Sequence, residues 1–181
     1  MKEKKKKWIT ILVGLFIIAI MVSSILSLNS DNGGKIKVND YKFAQTNKGY
    51  LTYKDGIPIL VINNPLELKD FEVDKNALDV SNKEKLYLSI DSQMNLELRN
   101  AIQQVYVQTI VLAANTEEKS NEFNIPYKTC KDAKENEGII MLISSEENNI
   151  NLKPDCLEIK GNSDYFLKVF EKLKLVSEGI L

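Results

Sequence analysis

Chemistry at a protein site needs a nucleophile, a base or a set of ligands, and this chain is short of all three. It contains no histidine. Without imidazole, Ser-His-Asp and Cys-His nucleophile systems cannot assemble, and the common zinc sites lose their nitrogen donor. The two cysteines, Cys130 and Cys156, cannot complete a tetrahedral Cys/His site, so no metal is expected on them. No C-x-x-C, Walker loop or G-x-G-x-x-G appears, and no cofactor is expected. Carboxylates do come in pairs: Glu117-Glu118, Glu135 with Glu137, and Glu146-Glu147. All stand in polar, loop-like segments, where solvated charge is the reading preferred over glycosidase-type acid/base work. Asp74, Asn76 and Asp79 suggest calcium, but their spacing lacks the third ligand and the glycine of an EF-hand loop.

Two residue types remain of interest. Two cysteines in an oxidising compartment are an even set with one pairing, so a Cys130–Cys156 disulfide is expected, closing about 27 residues. The alternative is a pair of buried free thiols. Arg99 is the one arginine among 24 basic residues. Its planar fork can hold a carboxylate bidentately where lysine cannot. Arg99 is therefore a candidate for a structural ion pair to a neighbouring element, against a plainly exposed arginine or a ligand contact.

What positions these residues begins with Trp8 to Leu28, 21 residues without a charge. As a helix it rises roughly 31 Å, about the thickness of a bilayer's hydrocarbon core. Residues 1–7 hold five lysines and one glutamate, and residues 29–34 are polar and glycine-rich. The expected organisation is a cytoplasmic basic tail (1–7), a transmembrane helix (8–28), a tether (29–40) and an extracytoplasmic domain (41–181). Lys4, Lys5, Lys6, Lys7 and Trp8 would sit at the inner membrane interface, where lysine and tryptophan anchor a helix. A cleaved signal peptide is the rival reading, but the apolar run is longer than a signal core and no clean A-x-A follows it. A pilin-like leader is the third, lowered by the absence of glycine or alanine at Lys7-Trp8.

Residues 1–28 carry +4 and the remainder −5, so the outer domain is mildly acidic. Nucleic acid is not an expected partner, because phosphate binding needs clustered Lys and Arg.

The pattern within the domain predicts an α+β fold. Tyr41–Phe43, Tyr50–Tyr53 and Ile57–Ile62 read as a three-stranded meander, with Asp55-Gly56 as a hairpin turn. Asn64-Pro65 stops the last strand, a helical turn follows to Phe71, and residues 74–84 read as a loop. Leu86–Ile90 alternates as a strand; Met94 to about Val105 has helical spacing; Val107–Ala113 is β-branched and strand-like. Residues 115–124 read as a polar loop. Gly138–Ile143 is a near-continuous apolar run, hence a central strand covered on both faces. Ile150–Leu152 and Cys156–Ile159 are short strands interrupted by Pro154. A closing helix runs from about Ser163 to Glu178, capped by Asn162 or Ser163 and by Gly179.

The segments Asn64–Leu68, Leu86–Asp91, Arg99–Ala101, Tyr127–Cys130, Ile139–Leu142 and Asp155–Gly161, with Gly179-Ile180, resemble archaeal envelope proteins of unassigned function. The resemblance covers most of residues 41–181 and implies a single-pass anchor carrying one outer domain. It implies no activity. The expected function is a non-catalytic, membrane-anchored module that binds a protein or cell-envelope component. A pilin-like structural subunit and a carboxylate-based envelope enzyme are the alternatives.

Overall fold

The computed structural model describes residues 34–91, 96–105 and 110–181. The expected anchor, with Lys4 to Lys7 and Trp8, lies outside them. Among the described residues no helix is long and apolar enough to cross a membrane.

The domain opens with four antiparallel strands in sequential order: β1 (Lys35–Val38), β2 (Tyr41–Thr46), β3 (Gly49–Lys54) and β4 (Ile57–Val61). The meander thus has four strands rather than three, and residues 35–38 are not tether. The reason is a short alternation, Lys35-Ile36-Lys37-Val38, whose apolar pair faces the core opposite Phe43 and Tyr41. The Asp55-Gly56 turn is as expected: both residues are left-handed, with φ 51° and 80°, which matches the twist of the strands it joins.

Asn64 then caps helix α1 (Pro65–Asp70), its side-chain oxygen accepting from the Leu66 N–H at 3.0 Å. Residues Lys75–Asn82 form a 3₁₀ helix instead of a loop. Ala77 and Val80, three apart, are the residues it buries, so its apolar signal has the 3₁₀ period. Asp74 caps this helix through the Asn76 N–H at 2.9 Å, which accounts for the acidic residue at its start.

The remaining elements are β5 (Lys85–Ile90), α2 (Leu96–Val105), β6 (Ile110–Ala114), α3 (Glu117–Phe123), β7 (Glu137–Ser144), β8 (Asn149–Lys153), β9 (Cys156–Gly161) and α4 (Ser163–Ser177). They build a mixed five-stranded sheet ordered β6-β5-β7-β9-β8, parallel except for the β8–β9 hairpin. β7 is central, as its unbroken apolar run requires. The 115–124 loop is helix α3, capped by Thr116 and ended by Asn124 at φ 51°. It buries no residue, so it has no apolar stripe to announce it. Pro154 does not interrupt a strand. With Asp155 at φ 60° it makes the β8–β9 turn, where its missing N–H is harmless. The described part of the strand expected from Val107 is β6; residues 106–109 lie outside.

Helices α2 and α4 cover one face of this sheet. Leu98, Ala101 and Ile102 from α2 meet Phe166, Val169, Phe170 and Leu173 from α4 over Leu86, Leu88, Ile140, Leu142, Leu157 and Ile159. Gly138 lets the 3₁₀ helix approach β7: a Cβ there would lie 2.4 Å from the Val80 carbonyl oxygen.

The far end of α4 serves the meander. Leu175 and Ile180 join Val38, Phe43, Ile59, Val61 and Leu68 in a second core. Between the two cores, Glu171 is 5% exposed. One carboxylate oxygen accepts the Ile62 N–H at 2.5 Å; the other accepts the Asn63 N–H at 3.0 Å and the Asn63 amide at 2.7 Å. Burial pushes its pKa up, and the three donors oppose that push.

Glu171→Gln keeps the size but replaces one acceptor oxygen by an NH₂ that must face an N–H donor. The loss expected is about 1–3 kcal/mol, the scale of a buried polar group left unpaired. An unchanged urea midpoint would show that the carboxylate does not hold the meander to α4.

Candidate functional site

Among the described residues no α-helix covers the opposite face of the mixed sheet. Tyr87, Ala113, Ile139, Met141 and Cys156 form a third apolar cluster there. A strap of chain after α3 covers it. Pro126 and Lys128 bond to β6 through Ala114: the Ala114 N–H donates to Pro126 at 2.8 Å, and the Lys128 N–H to Ala114 at 2.9 Å. The Ser89 hydroxyl donates to the Lys128 carbonyl, and the Lys128 ammonium stands 4.7 Å above the Tyr87 ring. The strap ends in a 3₁₀ turn, Cys130–Asp132. Asp132 steadies this turn by accepting from the Thr129 N–H at 2.8 Å, a bond that also holds its carboxyl below the usual range.

Cys130 is bonded to Cys156, with Cα atoms 5.4 Å apart. Cys156, the first residue of β9, is fully buried. The disulfide expected from the cysteine count is therefore present, and no described cysteine is free. It pins the strap to the central strands where a helix would otherwise lie.

Two residues along β9, Glu158 projects from the same face and is 9% exposed. Lys153 lies 2.8 Å from its Oε2 and Lys160 3.6 Å from its Oε1. The Cys130 sulfur sits 3.9 Å from Oε2, in contact only, since a disulfide sulfur carries no proton. Above all the Lys153 hydrogen bond holds the Glu158 carboxyl below its ordinary value. A carboxylate held ionised by two ammonium groups is a poor proton donor at neutral pH. This cluster is built to join β8 to β9.

The paired carboxylates are dispersed. Glu117, Glu118, Glu135, Glu146 and Glu147 are exposed, while Glu137 faces Lys128 at 3.6 Å. Among the described residues no group of three His, Cys, Asp or Glu could hold a metal ion. Arg99 is on the exposed side of α2, and no described carboxylate pairs with it. A groove of about 690 Å³ runs between the end of α1 and β8, lined by Phe71, Val73, Ile150 and Leu152 together with Lys69, Glu72, Asp74 and the buried Lys172.

Sequence reasoning missed one surface, the outer face of the meander. The strand register turns Leu51, Leu60, Tyr53, Pro58 and Ile62 away from the core, with Lys35, Lys37 and Lys42 beside them. Tyr53 is 61% exposed and Ile62 43%. This face carries no carboxylate. Residues 35–62 hold five lysines against two aspartates, whereas residues 63–181 hold 14 basic against 21 acidic. Period-2 alternation was the available signal, hidden because both faces of these strands are partly apolar.

Replacing both Cys130 and Cys156 by alanine removes the loop constraint on the unfolded chain. For a separation of 26 residues the expected loss is about 3–4 kcal/mol. A urea midpoint equal to that of the intact protein would contradict this.

Glu158 supplies a pH test. Its folded pKa is depressed, so its contribution is present above the unfolded value of about 4.3 and is lost as pH falls through the folded value. Both lysines are 43% exposed, so solvent screening keeps the effect near 1 kcal/mol. Glu158→Gln should lower the melting temperature at neutral pH and converge with the parent as pH falls through the depressed folded pKa. Parallel stability–pH curves would rule out this pairing as a source of acid sensitivity.

No protein-family model matches this chain, and no curated protein or solved structure is similar enough to match it.

Proposed function

We propose that the protein is a single-pass, membrane-anchored module whose domain lies outside the cell, where it binds a protein or cell-envelope component without catalysis of its own. The observation that carries the reading is the Cys130–Cys156 disulfide. Such bonds persist in oxidising, extracytoplasmic compartments and are rare in a reducing cytosol. It stands in a domain that follows a 21-residue uncharged stretch with five lysines before it. That order places residues 1–7 inside and the domain outside by the positive-inside rule.

Two features support binding over catalysis. The described carboxylates with displaced pKa values are engaged structurally: Asp132 by the Thr129 N–H, Glu158 by two lysines, Glu171 by three N–H donors, and Glu178 by Lys174 and Lys54. The outer edge of β8 is paired to no described strand, and the groove beside it offers Phe71, Ile150 and Leu152 to an added strand.

Protease added to intact spheroplasts should digest the domain and leave a membrane-embedded fragment carrying Trp8. Protection until lysis would refute the topology. Uptake of two thiol labels by the unreduced, denatured native protein would remove the observation on which it rests.

A further inference from the structure

The outer face of the meander has two properties that do not normally occur together. It exposes apolar side chains, led by Tyr53, Pro58 and Ile62, and its charged residues are all lysines. Lys37 and Lys42 are directly opposed across β1 and β2. Like charges so placed repel each other. Lys35, Lys37 and Lys42 are exposed, and no described carboxylate pairs with any of them. The fold therefore holds three ammonium groups beside an apolar strip, with no partner among the described residues to neutralise them.

The chain limits how far this face can be from a membrane. Six residues, 29–34, separate the apolar stretch from β1. Fully extended, they keep Lys35 within about 25 Å of Leu28. The meander is the first described element after the proposed anchor, and its net charge of +3 contrasts with −7 for residues 63–181.

We propose that the outer face of the meander lies on the bilayer surface and binds anionic lipid headgroups, an inference that rests on the anchor reading above. Lysine ammonium groups would meet the phosphates while their stems lie along the apolar strip. Tyr53 would occupy the interfacial layer where aromatic rings with a polar tip are favoured. The acidic five-stranded half, with the β8 edge and its groove, would then be turned by its charge away from the lipid.

The test uses the full chain in vesicles. Trp8→Phe removes the native indole, and Tyr53→Trp places a reporter on the proposed face. Phe123→Trp, on α3, is the control, because that helix packs on β6, an edge strand of the other sheet. Brominated lipids in vesicles of phosphatidylglycerol and phosphatidylcholine should quench the reporter at 53 and blue-shift it, but leave the control at 123 unquenched. Lys35→Glu, Lys37→Glu and Lys42→Glu together should abolish that quenching while the chain still floats with the vesicles.

A chain that floats but whose reporter at 53 stays unquenched and open to an aqueous quencher overturns the docking and leaves the anchor intact. A reporter shielded from both lipid and aqueous quenchers means that protein, a second copy or a partner, covers the face, and also overturns it. Equal quenching at 53 and 123, or quenching that survives the three glutamates, overturns headgroup recognition by this face. A chain that does not float refutes the anchor itself.

Discussion

Helix α4 is required by two cores at once, and the fold depends on its meeting both demands. Its Phe166, Val169, Phe170 and Leu173 stripe closes the mixed sheet, while Leu175 and the turn to Ile180 close the meander. A helix buried on two sides has little surface left for charge, yet Glu171 lies between Leu167 and Leu175, one turn from each. The carboxylate is tolerated because β4 ends there and offers it the Ile62 and Asn63 N–H groups. Those N–H groups are orphans of a strand that has stopped, so each side supplies what the other lacks. Nearby, the Asn39 amide donates to the Ile180 carbonyl at 2.7 Å and Lys54 pairs with Glu178 at 3.4 Å, so the meander is held to α4 at several points.

The mixed sheet poses a different problem. Its central strands are parallel and apolar on both faces, and such sheets need cover on both sides. Among the described residues α-helices supply it on one side only. On the other lies the strap from Pro126 to Asp132, held down by the disulfide, the Ser89 hydroxyl and the Lys128–Tyr87 contact. The covalent bond thus takes the place of a covering layer, so that closing it is part of the fold rather than an addition to it.

The distribution of charge joins these structural facts to the proposed role. A near-neutral chain separates into a basic N-terminal tail, a basic meander and an acidic remainder. Electrostatic polarity of this kind orients a protein at a charged surface within a Debye length, about 8–10 Å at physiological salt. In the proposed role, the anchor would set where the domain is and the charged face which way it points. The β8 edge and its groove lie on the acidic half and remain available to another chain.

Much of this was legible in the residues themselves. Periodicity located β5, α2 and α4, an unbroken apolar run located β7, Asp55-Gly56 marked its hairpin, Asn64-Pro65 the end of β4, and Asn162 and Gly179 the ends of α4, because each of those signals acts within a few residues. The even pair of cysteines specified the disulfide without any geometry, since two thiols have one pairing. Other features required the tertiary structure. β1 is too short to declare itself until β2 pairs with it, and α3 buries nothing that could set a period. Glu171 reads as an ordinary helical acid until the end of β4 is brought against it from more than 100 residues away. Arg99 invited an ion pair by its type, but its solvent-facing position on α2 is decided by which side of the helix Leu98 and Ile102 bury. The lysines of β1 and β2 are scattered in sequence, and only antiparallel register sets them on one face beside Tyr53 and Ile62, because side-chain direction in a sheet is a property of pairing and not of the chain alone.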